Sequence, residues 1–208
     1  QLVARLHHPR IVPIYDFGTW HDRLYFTMPI VPGESLRQVL KRGPLRPEGV
    51  AEIGAQLAAA LDYSHGLGIV HRDLKPENVM VTWTERERPV ISLLDFGIAH
   101  EMGTERQTIE QVFRGTALYA SPEQLSDDPV DARCDIWSLG VVLYECLAGR
   151  SPFRAGRLEA VFFKILTAAP PPLGLDGMAG RLEAVCLECL QRERAARPQT
   201  MAEVLRRL

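Results

Sequence analysis

Residues 69–78 read Ile-Val-His-Arg-Asp-Leu-Lys-Pro-Glu-Asn and place an acid, a base and an amide in one short polar stretch between two apolar runs. The carboxylate of Asp73 can accept a proton from an attacking hydroxyl. The ammonium of Lys75 can neutralise charge on a transferring group, and the amide oxygen of Asn78 can bind a hard cation. Together these three groups suit phosphoryl transfer.

A second carboxylate follows at Asp95, directly after the apolar run 90–94. Two oxygen ligands at the ends of separate strands can hold magnesium, because this ion keeps several waters and takes further ligands from substrate phosphates. Asn78 and Asp95 are therefore the candidate metal ligands.

The composition fits a folded domain of ordinary charge. The chain has 208 residues, of which 46% are hydrophobic, and a formal net charge of −2. A chain of this length can bury a sizeable core. Its small net charge gives no general attraction to nucleic acids or to anionic membranes, so we expect no nucleic-acid partner.

The apolar segments and the cysteines indicate a cytoplasmic location, or a cytoplasmic domain of a membrane-anchored protein. The most hydrophobic window, 136–147, is broken by Ser138 and Glu145 and is too short to span a bilayer, so it predicts a buried core helix. Cys186 and Cys189 form a C-x-x-C with no second pair to complete a zinc site. Their helical spacing within an apolar pattern predicts buried thiols in a reducing compartment.

The motifs resemble those of a known enzyme family. Residues 71–78, with the Asp-Phe-Gly at 95–97 and the Ser-Pro-Glu at 121–123, are similar to the functional loops of eukaryotic-like (bacterial-type) serine/threonine protein kinases. The resemblance implies an α+β, protein-kinase-like fold with a mainly helical C-terminal lobe. Residues 1–31 would be a remnant of the β-rich N-terminal lobe (the end of helix C, strands 4 and 5 and the hinge), and residues 32–208 the C-terminal lobe.

The same resemblance implies transfer of the γ-phosphoryl group of ATP to a Ser or Thr hydroxyl of a protein. It makes Asp73 the catalytic base and Lys75 the group that stabilises the transferring charge. It makes Asn78 and Asp95 the ligands of Mg²⁺, or of Mn²⁺ in its place. Lys75 and the segment 115–123 favour Ser or Thr over Tyr as the acceptor.

Four residues resemble the adenine pocket of this family. Met28 matches the gatekeeper residue before the hinge 29–31, and Met80 matches the floor of the pocket. Proline lacks only the N–H, so Pro29 can still offer its carbonyl to adenine and Val31 its N–H. Read alone, Pro29 is equally compatible with stiffening an edge strand, and Met80 with being a core methionine.

Segment 98–120 resembles an activation segment. Thr104 and Thr108 are candidate phosphorylation sites, and Thr116 matches a regulatory position beside the substrate. Arg72 would pair with an added phosphate and order the segment. The alternative is a solvated loop with incidental threonines.

Three residues match structural positions of the family. Glu123 and Arg197 are expected to form a buried ion pair. The carboxylate of Asp135 is expected to accept hydrogen bonds from the catalytic-loop backbone. Since Asp135 starts the predicted helix, an ordinary N-cap is the other interpretation, and both roles are compatible.

Several further residues receive weaker interpretations. By resemblance, Glu77 helps to select basic substrates. Read from its own helix, His65 is a packing residue. A stack of residues linking the two lobes is implied for Val3, Ile14, His71 and Phe96.

Periodicity and breakers predict the elements that position these residues. We expect a hairpin of strands 11–17 and 24–30 with its turn at 19–23, and a second hairpin of 79–81 with 90–94. Helices are predicted at 35–41, 47–67, 135–148, 157–168, 180–191 and 199–208.

Parts of the family pattern are missing from the 208 residues. No glycine precedes Gly18, and the first lysine is Lys41, so we find no glycine-rich loop, strand lysine or helix C glutamate. We therefore expect a catalytic domain truncated at its N-terminus, with little or no ATP turnover by the fragment. A non-catalytic, pseudokinase-like binding module is the alternative, against which the intact Asp73, Asn78 and Asp95 count. A kinase acting on small molecules is disfavoured by the complete segment 115–123.

Overall fold

Two small β-sheets and seven α-helices make up the part of the chain that the computed structural model describes, which is residues 6–21, 23–96, 117–126 and 128–208. This α+β architecture is mainly helical, as expected. The strands are β1 Asp16–Trp20, β2 Arg23–Thr27, β3 Glu34–Ser35, β4 Val79–Trp83 and β5 Pro89–Leu93. The helices are α1 Leu36–Leu40, α2 Pro47–Gly66, α3 Pro122–Leu125, α4 Arg133–Ala148, α5 Leu158–Thr167, α6 Gly177–Cys189 and α7 Met201–Arg207.

Helix α4 forms the centre of the core. Every residue from Cys134 to Cys146 is buried, so this helix is apolar nearly all round, as expected of a helix enclosed by others. It packs against α2 and α6. The approach to α6 requires a glycine, because a Cβ on Gly140 would lie 2.7 Å from the Cβ of Cys189.

The second sheet carries the candidate site. Strands β3, β4 and β5 are antiparallel in that order, and Met80 on β4 lies opposite Ser35 and Ser92. The predicted hairpin is present and extends to Trp83 on one strand and begins at Pro89 on the other. Helix α2 packs against β5, so the loop between α2 and β4 is fixed at both ends.

The first predicted hairpin is present with shifted strands. Strand β1 begins at Asp16, not at Ile11, and the pairs run from Asp16–Thr27 to Trp20–Arg23. Residues 10–12 instead bond to β5: the N–H of Val12 donates to Leu93 O at 3.0 Å, and the N–H of Leu93 donates to Arg10 O at 2.7 Å. Pro13 has no N–H with which to continue a ladder.

The predicted start of the central helix was also wrong. Helix α4 begins at Arg133, two residues before Asp135, so Asp135 is not its N-cap. The carboxylate of Asp131 instead accepts a hydrogen bond from the N–H of Arg133 at 3.0 Å. Asp135 is thereby left inside the first turn, with its side chain buried.

Cys186 and Cys189 are buried as predicted, and the other two cysteines are buried as well. Cys134, Cys146, Cys186 and Cys189 are free thiols, and burial raises the pKa of Cys189 to about 12. Among the described residues, no helix combines the length and the apolar character that crossing a bilayer requires.

Candidate active site

Two hydrogen bonds bring Asp73 and Asp95 to the same place. His71, two residues before Asp73, lies 2.9 Å through its Nε2 from the carbonyl of Leu94. The N–H of Leu94 in turn donates to the carbonyl of Asn78 at 2.8 Å. Leu94 immediately precedes Asp95, so the loop after α2 and the end of β5 are joined at the candidate site.

His71 also fixes the loop around Asp73. Its Nδ1 accepts a hydrogen bond from the N–H of Asp73 at 3.2 Å. Nε2 is therefore the nitrogen that carries the proton and donates it to Leu94 O. The His71 ring packs on Phe96 with ring centroids 4.7 Å apart, so one buried side chain contacts residues on both sides of Asp95.

The two oxygens of Asp73 have different environments. Oδ2 accepts hydrogen bonds from Lys75 Nζ at 2.7 Å and from Asn78 Nδ2 at 3.2 Å. Asn78 Nδ2 also donates to the backbone carbonyl of Asp73 at 2.9 Å. Oδ1 is buried and has no hydrogen-bond partner in the described part of the chain. A buried acceptor left without a donor costs about 1–3 kcal/mol, which is expected where a substrate is to supply the donor.

The backbone of Asp95 is strained, and the negative charge of its side chain is poorly compensated. Its φ of 54° lies in the left-handed region, which costs a non-glycine residue about 1 kcal/mol or more and is common at functional sites. Desolvation raises the pKa of Asp95, and the nearby charge of Asp73 adds to the rise, while the charge of Lys75 opposes it. Two carboxylates thus lie close enough to repel each other, and a cation would relieve that repulsion.

The donor set fits a magnesium ion shared with phosphates. The described residues contain no group of three or more His, Cys, Asp or Glu side chains that could hold a metal alone. The hydrogen bonds of Asn78 Nδ2 identify the amide nitrogen and leave the amide oxygen as the ligand atom. One carboxylate and one amide oxygen suit Mg²⁺, which binds through few protein ligands and completes its shell with water and phosphate.

The candidate adenine-contact residues lie on either side of β3. Met80 is half-buried on β4, whereas Met28, Pro29 and Val31 lie in the segment between β2 and β3. This segment approaches β4 closely at Gly33, where φ is +98° and a Cβ would lie 2.2 Å from Val81 O. Only glycine fits there.

Asp135 holds the backbone that leads into Asp73. Its fully buried carboxylate accepts hydrogen bonds from the N–H groups of His71 and Arg72, both at 2.8 Å. Desolvation alone would raise its pKa, but hydrogen bonds from His65 and from the His71 backbone lower it below the ordinary value. Arg72 has a φ of 64°, so this carboxylate holds a turn that a non-glycine residue rarely adopts.

Glu123 and Arg197 form a buried, two-bond ion pair. Arg197 Nη1 lies 2.7 Å from Glu123 Oε1, and Nη2 lies 2.9 Å from Oε2. The guanidinium also donates to the carbonyls of Gln191, Arg133 and Arg192, which uses all five of its N–H donors. The pair therefore attaches α3 to the segment before α7.

Sequence reasoning missed several polar contacts at this site. His65, interpreted as a packing residue, lies 2.7 Å through Nε2 from Asp135 Oδ2. Gln124 Nε2 donates to the backbone carbonyl of Arg72 at 2.8 Å. A cluster around Arg37 contacts Glu77 in the catalytic loop and Glu145 in α4. One signal was available, since a glutamate inside an apolar helix requires a buried partner.

Some expected positions lie outside the described residues. These are Val3, Gly97 and the three threonines Thr104, Thr108 and Thr116. The stacking and regulatory roles suggested for them therefore stay predictions.

Known proteins are similar to this chain over almost its whole length. The profile of the protein kinase domain matches residues 1–206. The serine/threonine-protein kinase PknB of Mycobacterium tuberculosis is 38% identical over 213 residues, which cover 98% of this chain and 33% of that protein. The probable serine/threonine-protein kinase PknB of Bifidobacterium longum is 36% identical, over 97% of this chain and 31% of that protein.

A solved structure is similar over the same length. The crystal structure of Rad53 1-466 in complex with AMP-PNP matches with a TM-score of 0.79 and 26% identity, covering 98% of this chain and 51% of that chain. The chain spans about a third of the length of the curated relatives it matches.

Proposed function

The chain belongs to the protein kinase domain family, with bacterial serine/threonine kinases among its relatives. We propose that its catalytic loop serves transfer of the γ-phosphoryl group of ATP to Ser or Thr hydroxyls of proteins. The 208 residues by themselves should show little or no ATP turnover, because their sequence contains no glycine-rich loop, strand lysine or helix C glutamate. The observation that carries the proposal is the asymmetry of Asp73. One carboxylate oxygen is held by Lys75 and Asn78, and the other is buried without a partner.

Asp73 is the proposed catalytic base. Since Lys75 and Asn78 fix Oδ2, the side chain cannot turn freely, and Oδ1 is left to accept the proton of an incoming hydroxyl. Lys75 stabilises charge on the transferring group and is held in place by the same carboxylate. Asp135 and His71 keep the loop in this conformation through backbone hydrogen bonds.

Asn78 and Asp95 are the proposed ligands of Mg²⁺, for which Mn²⁺ can substitute. When bound, the metal neutralises charge on the ATP phosphates. The raised pKa of Asp95 supports this assignment, because it marks a carboxylate whose negative charge is poorly compensated in the protein. The backbone groups of Pro29 and Val31 would hold adenine, between Met28 as gatekeeper and Met80 as floor.

We further propose that residues 1–31 correspond to the end of the small lobe and the hinge, and residues 32–208 to the large lobe. Protein substrates with Ser or Thr acceptors are the proposed partners, with no role for nucleic acid. A cytoplasmic location, or a cytoplasmic domain of a membrane-anchored protein, is consistent with the four free thiols.

The test is phosphate transfer from labelled ATP to a Ser/Thr peptide by purified protein in which a glycine-rich loop, strand lysine and helix C glutamate of a bacterial relative precede these 208 residues. Changing Asp73→Asn should lower kcat by about 10²–10⁴-fold, because the proton acceptor is removed, while Mg²⁺-dependent ATP binding persists. Changing Asp95→Asn should weaken that binding. Asp176→Asn is the matched control and should leave both measurements unchanged, since Asp176 is an exposed helix N-cap.

Two results would reject the proposal. One is ATP binding without transfer when Asp73 is intact and the missing glycine-rich loop, strand lysine and helix C glutamate have been supplied, which would leave the non-catalytic binding module. The other is full activity in Asp73→Asn.

A further inference from the structure

Arg37 joins four elements of the structure through one guanidinium. Its Nε lies 2.8 Å from Glu77 Oε1 in the catalytic loop, and its Nη1 lies 2.8 Å from Glu145 Oε1 in α4. Its Nη2 donates to the hydroxyl of Tyr119, which itself donates to Glu145 Oε2. We call Arg37, Glu77, Tyr119 and Glu145 the Arg37 cluster.

The cluster combines a buried anchor with an exposed acid. The Glu145 side chain is 8% exposed, that of Arg37 is 26% exposed, and that of Glu77 is 42% exposed. Burial alone would lower the pKa of Arg37, but hydrogen bonds to Glu145 and Glu77 and the charge of Glu145 raise it above its ordinary value. Arg37 is therefore a fixed cation, and Glu77 is its exposed partner.

Glu77 lies within reach of a bound acceptor peptide. It comes four residues after Asp73, and four residues of chain span at most about 14 Å. Lys75 and Asn78 both bond to Asp73, while Glu77 is on the exposed side of the same turn. An extended peptide whose hydroxyl meets Asp73 covers the same distance in about four residues.

An acid at this position would attract a basic substrate side chain, as the resemblance suggested for Glu77. In this structure the Glu77 carboxylate already has a cation, and that cation is anchored to Glu145 and Tyr119. A basic peptide side chain would have to displace Arg37 or come close to it, and like charges repel. Arg37 therefore reduces the electrostatic gain that Glu77 offers a basic substrate, and the remaining negative charge of the cluster lies on the buried side at Glu145.

We propose that Arg37 occupies, from inside the protein, the acidic subsite that Glu77 would otherwise offer, so that the preferred substrates are peptides without a required Arg or Lys near the acceptor hydroxyl. This inference rests on the proposed function, which supplies the acceptor peptide. Arg37 is thus a specificity-determining residue that acts through Glu77. No part of the chemical step is assigned to it.

The test uses the purified protein preceded by the same kinase elements, and peptides that are identical except for Arg or Gln at one of the four positions on either side of the Ser acceptor. Both kcat/KM and the Kd from fluorescence anisotropy are measured for each peptide. The Arg preference at a position is the ratio of kcat/KM, or of binding affinity, for the Arg peptide to that for the Gln peptide. The unmodified protein should show a preference near one at every position. Arg37→Gln combined with Glu145→Gln should raise it about fivefold at one or more positions, equivalent to about 1 kcal/mol for an exposed ion pair.

The double change keeps the fold testable, because Glu145→Gln avoids stranding a buried charge when Arg37 is lost. Glu145→Gln alone should leave the preference near one, since Arg37 still pairs with Glu77. Arg42→Gln is the matched control: this arginine lies just after the same helix, pairs with Glu34 and is exposed, so the preference should not change. Adding Glu77→Gln to the double change should remove the gain.

Glu77→Gln in the otherwise unmodified protein gives a second, independent readout. The preference should stay near one, because Glu77 does not read the substrate while Arg37 holds it. A fall in Arg preference in this variant would overturn the inference. A fivefold Arg preference in the unmodified protein, or no gain in the double variant, would do the same. If neither the unmodified protein nor any variant transfers phosphate, the proposed function fails. The peptide Kd values still decide the role of Arg37 in that case.

Discussion

At the scale of single residues, Asp135 shows how a buried charge supports a catalytic loop. Its side chain is fully buried, yet hydrogen bonds from the backbone of His71 and Arg72 and from the ring of His65 surround the carboxylate. Such bonds favour the ionised form and outweigh desolvation, so the pKa is lowered. Asp135 and the loop are therefore coupled: the loop stabilises the charge, and the charge fixes the loop.

Changing Asp135→Asn should lower the free energy of unfolding by about 2–3 kcal/mol at pH 7, because the amide group turns an N–H towards donors that need an acceptor. The pKa of Asp135 is depressed below 3.8 in the folded protein. Its contribution is therefore fully present above pH 3.8 and is lost as the pH falls through the folded value.

Urea unfolding between pH 7 and pH 3 measures this contribution. The difference in free energy of unfolding between the unmodified protein and Asp135→Asn should be constant down to about pH 4.5. It should shrink at lower pH, as the pH falls below the ordinary pKa of an aspartate, about 3.9. A difference that grows on acidification would contradict the assigned direction of the pKa shift.

At the scale of elements, two contacts hold the helices in place. The ion pair of Glu123 with Arg197 attaches α3 to the segment before α7. The close approach at Gly140 packs α4 on α6. Each contact can be tested by a change whose effect depends on this geometry.

Removing Arg197 should lower the free energy of unfolding more than removing the charge of Glu123 does. Arg197→Leu strands a buried carboxylate and three carbonyls, and should lower stability by about 3–5 kcal/mol. Glu123→Gln keeps an acceptor beside Arg197 and should cost less, about 1–3 kcal/mol. Chemical denaturation measures both, with exposed Arg206→Leu as a control expected to stay within about 0.5 kcal/mol. Equal losses for Arg197→Leu and Glu123→Gln would show that the carbonyl contacts add nothing.

Two glycines in helices should respond to alanine with opposite signs. Gly140→Ala forces its Cβ against Cys189 and should destabilise the protein by about 1–3 kcal/mol through overpacking. Gly49 lies in α2 with open space around it, so Gly49→Ala should stabilise by about 0.5–1 kcal/mol. Thermal unfolding of both variants gives the comparison. A stabilising Gly140→Ala would mean that α4 and α6 do not approach as described.

At the scale of the whole molecule, the helical body and the β1–β2 sheet differ in burial. Helix α4 is buried continuously from Cys134 to Cys146, and α2 has eight buried residues along its length. On the β1–β2 sheet, Trp20 is 71% exposed, Tyr25 is 43% exposed and Phe26 is 39% exposed. An isolated two-stranded hairpin is marginally stable, so its hydrogen bonds should open without unfolding the rest.

Amide hydrogen exchange should show this difference. The N–H groups of residues 16–27 should exchange well before those of α2 and α4, since local opening requires little loss of buried surface. The β4–β5 hairpin, whose strands alternate buried positions, serves as the internal comparison and should be protected. Equal protection of the two hairpins would contradict the expectation.

Much of the architecture could be predicted because it depends on local pattern. The helical spacing of apolar residues predicted α2 nearly to its ends, and Gly and Pro marked where chains turn. The predicted ends of β1 and the predicted start of α4 were wrong. Leu93 and Asp131 supplied hydrogen-bond partners that the local sequence does not reveal.

The sequence by itself determined which groups could do chemistry: Asp73, Lys75, Asn78 and Asp95 are recognisable from type, order and spacing along the chain. Only the tertiary structure decided the partners of those groups. Arg37 meets Glu77 across 40 residues and Glu145 across 108, and His65 meets Asp135 across 70. Contacts over such separations depend on how the elements pack in three dimensions, and side-chain spacing along the chain carries no record of that packing.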